Sequence, residues 1–333
     1  MDDMSVGIVG AGWMAQEHRR VLGSLDGVTI EAVCDVDPVR AENLARGTGT
    51  GGTGARIYRD WRDLLDHEEL GALVVSIPPL AHRDPTVEAL TRGIPVYLEK
   101  PIARTLEDAR VIVDVAGRTG TVCAVGYQWH ALDVLGDLRS LLDDEQIGLL
   151  VGTSIGPTQS RPWFLDRREG GGQLLERGSH HLDLVRAVGG EVVSAQAAAG
   201  RVRLARSTGP DAAGGDIDDA VTILLELASG ALATVVVAWT RPGQPGRYGL
   251  DVVASDSTLR LDLDPDFTIT GLSHDQPVTR RAAAPPLEQS LGRFLDAVRQ
   301  HDPSAVPCAP PDAAATLAVA VAAERALETA HSV

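Results

Sequence analysis

Along the first third of the chain, short unbroken apolar runs alternate with stretches whose apolar positions recur every three or four residues. That rhythm predicts buried parallel strands separated by amphipathic helices, the pattern of a doubly wound α/β sheet. Strands are expected over residues 6–9, 30–34, 56–58, 72–77, 96–98 and 122–126. Helices are expected over 14–25, 38–46, 61–65, 84–92 and 106–118, with Pro38 suited to a first helical turn. The repetitive stretch 47–54 lacks the strand-then-helix setting of a phosphate loop and reads as a flexible connection.

After residue 126 the pattern changes. Helical periodicity at 132–142 and 173–188 is followed by apolar runs at 192–202, 221–227, 231–239, 250–254 and 259–263. Short turns such as Ser229-Gly230 and Asp256-Ser257 join several of these runs, which predicts antiparallel pairing. Two closing helices, 287–299 and 312–329, flank a proline-rich connector at 303–311. The fold class is therefore α/β, with a dinucleotide-type domain over 1–126 and an α+β domain over 127–333.

Composition narrows the partners. The 333 residues are 44% hydrophobic, enough for two packed domains. Arg and Lys total 30 against 46 acidic residues, a net charge of −16 that disfavours nucleic acid and anionic membranes. Cys34, Cys123 and Cys308 are widely spaced, so neither a disulfide framework nor a zinc site is expected. With no secretory leader pattern at the start and no apolar run of about 18 residues, a cytoplasmic protein is expected. Lys100 is the only lysine; the other 29 basic residues are arginines. A solvated surface accepts either cation, whereas chemistry that needs a compact ammonium does not.

Gly10-Ala11-Gly12-Trp13-Met14-Ala15 follows the first strand and opens the first helix as G-x-G-x-x-A. Gly10 permits a tight turn, Gly12 a close approach of backbone to a pyrophosphate, and Ala15 close helix–strand packing. Trp13 and Met14 begin the helix whose amide groups would face the phosphates. Asp35 ends the second strand, 23 positions after Gly12, where a carboxylate accepts bonds from an adenosine ribose. Asp35 and Asp37 disfavour a 2′-phosphate, so NAD is expected over NADP, although Arg40 could reach such a phosphate. Ser76, Pro78 and His82 follow the fourth strand, at the sheet edge where cofactors lie.

Glu99-Lys100-Pro101 follows the fifth strand at the same edge, and Pro101 favours an extended Lys100. Further on, Gly170-Gly171-Gly172-Gln173-Leu174-Leu175-Glu176-Arg177-Gly178-Ser179-His180-His181-Leu182-Asp183 forms a second cluster. If α-helical, it sets Glu176, His180 and Asp183 at i, i+4 and i+7 on one stripe, with Leu175, Leu182 and Val185 facing a core. His181 is off that stripe. No second group of donors converges on His180 and the acids, so no metal is expected.

Together, G-A-G-W-M-A, Asp35, Glu99-Lys100-Pro101 and the glycine–histidine–aspartate cluster resemble the Gfo/Idh/MocA oxidoreductases, across the whole chain and in order. The family takes its name from glucose–fructose oxidoreductase, inositol dehydrogenase and a rhizopine-catabolism protein. The resemblance implies an N-terminal Rossmann domain and a C-terminal substrate-binding and oligomerisation domain with an open, mainly antiparallel sheet, assembled as a homodimer or homotetramer. It also implies that Lys100 and His180 are catalytic, and that Glu99 joins the cofactor site. Glu176 stands where the family usually has Asp. Gln128, Trp129, His130 and Trp163 fall at the substrate cleft, and Asp183 closes the motif there.

The expected reaction is NAD-dependent hydride transfer at a carbinol or ketone carbon of a sugar, polyol or cyclitol. His180 would move the hydroxyl proton and Lys100 would stabilise the oxygen. The same motifs would serve a redox-assisted sugar lyase or glycosidase with recycled NAD, or a non-enzymatic NAD- or sugar-sensing protein.

Overall fold

The computed structural model describes residues 4–46, 48, 54–157, 162–201 and 217–330. Residues 1–3, most of the 47–54 glycine stretch, Arg161 and Val202 lie outside the described residues. The described elements begin β1 (Met4–Val9), α1 (Trp13–Leu22), β2 (Val28–Cys34), α2 (Pro38–Ala45), β3 (Arg56–Tyr58), α3 (Trp61–His67) and β4 (Ala72–Val75). They continue with α4 (Arg83–Thr91), β5 (Val96–Leu98), α5 (Leu106–Thr119), β6 (Cys123–Val125), α6 (Asp133–Leu141) and β7 (Ile147–Pro157). Next come the short helices α7 (Pro162–Leu165) and α8 (Arg167–Gly170), a π-helical turn at Leu174–Gly178, and α9 (Ser179–Gly189). The chain then runs through β8 (Val192–Gly200), β9 (Ala220–Leu227), β10 (Leu232–Thr240), β11 (Arg247–Ala254) and β12 (Ser257–Asp262). It ends with β13 (Thr268–Ser273), β14 (Gln276–Arg281), α10 (Pro286–Gln300) and α11 (Pro310–Ala330).

Two compact units result: Met1–Ala131 with Pro286–Ala314, and Leu132–Pro285 with Ala315–Val333. In the first unit six strands run in the order β3-β2-β1-β4-β5-β6, and every pairing is parallel. Helices cover such a sheet, which is why β4, β5 and β6 are buried at every position. The order reverses between β1 and β4, so the carboxyl ends of these strands open the crevice where doubly wound sheets take ligands.

The helix α10 belongs to this unit. Its Leu291 and Phe294 join Val6, Ile8 and Tyr97 in one buried cluster. The Tyr97 and Phe294 rings meet edge-on at 5.6 Å, and the Tyr97 hydroxyl lies 2.9 Å from Ser290 Oγ. Nothing in the sequence marks this return of residues 286–314, because α10 reads only as an amphipathic helix.

The second unit carries an eight-stranded sheet in the order β14-β13-β12-β11-β7-β10-β9-β8. It is antiparallel throughout except for β7 and β10, which run parallel. Ile223, Leu225, Val235, Val237, Leu250 and Val252 are buried on one face, while Thr222, Leu224, Glu226 and Leu232 alternate with them on the exposed one. Three strands have no counterpart among the sequence expectations: β7, β13 and β14. In β7 the glycines that read as breakers serve close approach instead. A Cβ on Gly152 would stand 3.1 Å from the His181 ring, and one on Gly156 would collide with the Tyr248 hydroxyl at 1.7 Å. Among the described residues, no helix is long and apolar enough to cross a membrane.

Candidate active site

At the carboxyl end of β1, Gly10 adopts φ +99°, and a Cβ there would lie 2.1 Å from the Ser76 carbonyl oxygen. Only glycine lets these two strand ends sit so close. Gly12 differs. Its φ of −74° suits any residue, and a Cβ there would meet no protein atom within 4 Å. The fold therefore does not require the side chain to be missing, and its absence leaves the backbone at Gly12 open to the approach of a ligand. Gly12 also caps α1 without any side-chain hydrogen bond, leaving amide donors of the first turn for phosphate oxygens. Ala15 is fully buried where the helix meets the sheet, Met14 is half-buried, and Trp13 is exposed.

Asp35 closes the same corner. Its Oδ2 accepts the Ala11 amide at 2.7 Å, and its Oδ1 accepts the Asp37 amide at 2.8 Å. Arg40 reaches back to Asp35 Oδ1 at 3.1 Å and Asp37 Oδ2 at 3.3 Å, so its charge is already matched by two carboxylates. Asp37 also caps α2 through the Val39 amide at 3.0 Å. These residues fit a dinucleotide: open backbone at Gly12, a helix N-terminus with no side-chain cap, and a fixed carboxylate beside the glycine turn.

Two residues expected to touch the cofactor, His82 and Glu99, are buried and brace the loops around them. The His82 ring is wholly buried, with Nδ1 3.0 Å from the Pro101 carbonyl and Nε2 2.8 Å from the Ile77 carbonyl. It ties the loop carrying Ser76 and Pro78 to the loop carrying Lys100, and burial pushes its pKa down. Glu99 is 7% exposed. Its Oε1 pairs with His18 Nε2 at 2.8 Å, and its Oε2 accepts the Lys100 backbone amide at 3.2 Å. Burial raises the Glu99 carboxyl, yet the His18 hydrogen bond, with the charges of His18 and Lys100, holds it below its ordinary value. Lys100 itself is half-buried just past β5. His18 escaped the sequence reading because its partner lies 81 positions away and nothing local signals the pair.

In the second unit, the expected α-helix over Glu176–Asp183 is a π-helical turn at Leu174–Gly178 followed by α9. Four α-helical steps overshoot a full turn by about 40°. A π turn advances less per residue, which brings Glu176 and His180 closer to one line. Both are half-buried. Asp183 departs from that exposed stripe. It is 1% exposed, its Oδ1 accepts the Thr316 hydroxyl at 3.1 Å, and Arg186 Nη1 donates to the same Thr316 oxygen at 2.8 Å. It anchors α9 rather than facing solvent. Leu175, Leu182 and Val185 are buried as the pattern requires. His181 is wholly buried against β7, and burial lowers its pKa to about 4.

Gln128, Trp129 and His130 form a half-buried 3-10 turn with Ala131, in the first unit. Trp163 belongs to the second unit, where its ring meets Phe164 at 5.8 Å beside a cluster of Phe164, Leu165, Ile217 and Trp239. Arg177, next to Glu176, drew no attention in the sequence. Its guanidinium lies over the Tyr248 ring at 5.6 Å.

Comparisons with known proteins agree with this geometry. Residues 4–127 match the profile of an oxidoreductase family with an NAD-binding Rossmann fold, and residues 137–260 match the GFO/IDH/MocA C-terminal domain. The rhizopine catabolism protein MocA of Rhizobium meliloti is 30% identical over 71% of each chain. Inositol 2-dehydrogenase 4 of Saccharopolyspora erythraea is 27% identical over 89% of this chain and 86% of that protein. Among solved structures, GenD2 from gentamicin A biosynthesis, in complex with NAD, superposes with a TM-score of 0.81 at 22% identity, covering 99% and 95% of the two chains.

Proposed function

Since the chain belongs to the Gfo/Idh/MocA oxidoreductase family, we propose that it moves a hydride between NAD and a carbinol or ketone carbon of a sugar, polyol or cyclitol. One observation carries the reading: the single lysine of the chain stands at the carboxyl end of β5, its backbone amide held by the buried Glu99 carboxylate. Relatives named as inositol 2-dehydrogenase and D-apiose dehydrogenase support the substrate class.

NAD, when bound, supplies the hydride acceptor. Gly10, Gly12, Trp13, Met14 and Asp35 would hold it, with Ser76 and Pro78 beside them. The carboxylates at Asp35 and Asp37 oppose a 2′-phosphate, which favours NAD over NADP. His180 takes the substrate hydroxyl proton, since an imidazole titrates near neutrality. The Lys100 ammonium donates a hydrogen bond to the same oxygen and stabilises the charge that grows there. Glu176, on the line of His180, orients the imidazole. Asp183 acts through the anchoring of α9, and Gln128, Trp129 and Trp163 line the sugar.

The exposed face of the eight-stranded sheet, with Leu224, Leu232 and Val253 each more than 40% exposed, supports a homodimer or homotetramer built on that face. The buried thiols of Cys34, Cys123 and Cys308 support a cytoplasmic setting. The test is an NADH absorbance assay over neutral sugars, inositols and their keto forms. Lys100→Met and His180→Ala should each lower turnover by about a hundredfold or more, with NAD affinity kept. Full turnover in both variants refutes the assignment.

A further inference from the structure

The second unit contains buried donors that no described acceptor satisfies. Arg177 Nη1 is out of contact with solvent and donates to no acceptor within hydrogen-bonding distance. Among the described residues Arg177 has no carboxylate partner, and its guanidinium lies over the Tyr248 ring. Trp239 is 7% exposed, and its Nε1 is likewise buried without an acceptor.

These groups share one neighbour, Gly156. Trp239 is its partner in the parallel register of β7 and β10. A Cβ on Gly156 would stand 1.7 Å from the Tyr248 hydroxyl and 3.2 Å from Arg177 Nη1. The absent side chain at Gly156 thus gives the guanidinium and the phenol their place beside the end of β10. A buried donor left unsatisfied costs about 1–3 kcal/mol, and more when it is charged. In a chain with 46 acidic residues and a net charge of −16, this guanidinium nevertheless has no acid set against it among the described residues. A guanidinium N–H and an indole N–H both ask for oxygen acceptors, and a guanidinium asks for an anionic one.

We propose that Arg177, with Trp239 Nε1, forms a subsite for an oxyanion carried by the substrate, so that the enzyme acts on an acidic carbohydrate bearing a carboxylate or a phosphate. The inference rests on the hydride-transfer reading above, because Arg177 lies on the same helical segment as Glu176 and His180. A ligand whose hydroxyl meets His180 would extend its anionic group to Arg177.

The test is calorimetric titration of the NAD-loaded protein with D-glucuronate, D-gluconate, D-glucose 6-phosphate and D-glucose. At least one of the three anions should bind tenfold or more tightly than D-glucose; which one wins separates carboxylate from phosphate. Arg177→Gln should shrink that anion-to-neutral ratio by about ten- to a hundredfold, the size of a charge-assisted hydrogen bond, and Arg177→Lys should restore part of it. Trp239→Phe keeps the ring, removes the N–H, and should shrink the ratio severalfold. Thermal melts and NAD titration check the folding of each variant. The inference is overturned if no anion outbinds D-glucose, or if the ratio survives both Arg177→Gln and Trp239→Phe. Anion binding that depends on Arg177 but yields no NADH with any substrate would sink the hydride reading and leave the subsite standing. Turnover of neutral sugars without anion preference would do the reverse.

Discussion

The two glycines of the first turn should respond to the same substitution in opposite ways. At Gly10 an added methyl would stand 2.1 Å from the Ser76 oxygen, 2.7 Å from its carbon and 2.9 Å from Ile77 Cγ2, on a backbone at φ +99°. Dihedral strain of about 1–3 kcal/mol adds to an overpacking cost of similar size, so Gly10→Ala should destabilise by about 2–6 kcal/mol. For a protein of this size that is a drop of roughly 3–9 °C in melting temperature. At Gly12 the methyl meets no protein atom within 4 Å, and φ is −74°. Gly12→Ala should therefore melt within a few degrees of the parent while losing at least about tenfold in NAD affinity, or ~1.4 kcal/mol. Scanning fluorimetry and calorimetric NAD titration read the two effects separately. A Gly12→Ala protein that binds NAD like its parent, or a Gly10→Ala protein that melts like it, would refute the reasoning.

Acid sensitivity should trace in part to His181. With a folded pKa of about 4 against about 6.5 unfolded, the unfolded chain binds more protons between those values, so stability is complete above pH 6.5 and lost as pH falls toward 4. The contribution is about 3 kcal/mol, and urea unfolding at pH 7 and 4.5 should show a smaller pH dependence for His181→Gln than for the parent. Asp35→Ser frees Arg40 from one of its two carboxylates and should raise the NADP-to-NAD ratio of kcat/KM by about tenfold, measured with both cofactors in parallel. Phe294→Ala removes a fully buried ring from the cluster around Tyr97 and should cost about 3–5 kcal/mol by denaturant unfolding.

Much of the cofactor unit was readable because its signals are local. The run Val6–Val9, the glycine turn and Asp35 lie within one βαβ unit, so their spacing places Asp35 beside the glycine turn, while the bond its carboxylate takes from the Ala11 amide is added by the structure. What sequence could not supply were pairings set by tertiary packing. The pairing of Glu99 with His18 and the Pro101 carbonyl facing the His82 ring join residues distant in sequence. The strand β7 was missed because Gly148, Gly152 and Gly156 weaken its β signal, yet two of those glycines admit His181, Tyr248 and Arg177. At Glu176 the α-helical spacing was assumed, and a π turn intervenes. Pattern reading cannot see that extra residue in the turn, because the spacing of Glu176 and His180 along the chain is the same with or without it.

The return of residues 286–314 to the first unit bears on how this protein can be dissected. A fragment ending at Ala131 would carry every strand of the parallel sheet but leave Val6, Ile8 and Tyr97 without Leu291 and Phe294 to cover them. Such a piece would present a wet apolar flank and aggregate on expression. Grafting the 286–314 segment behind residue 131 through a flexible tether would restore the missing layer, giving a minimal cofactor-binding module from one interrupted chain.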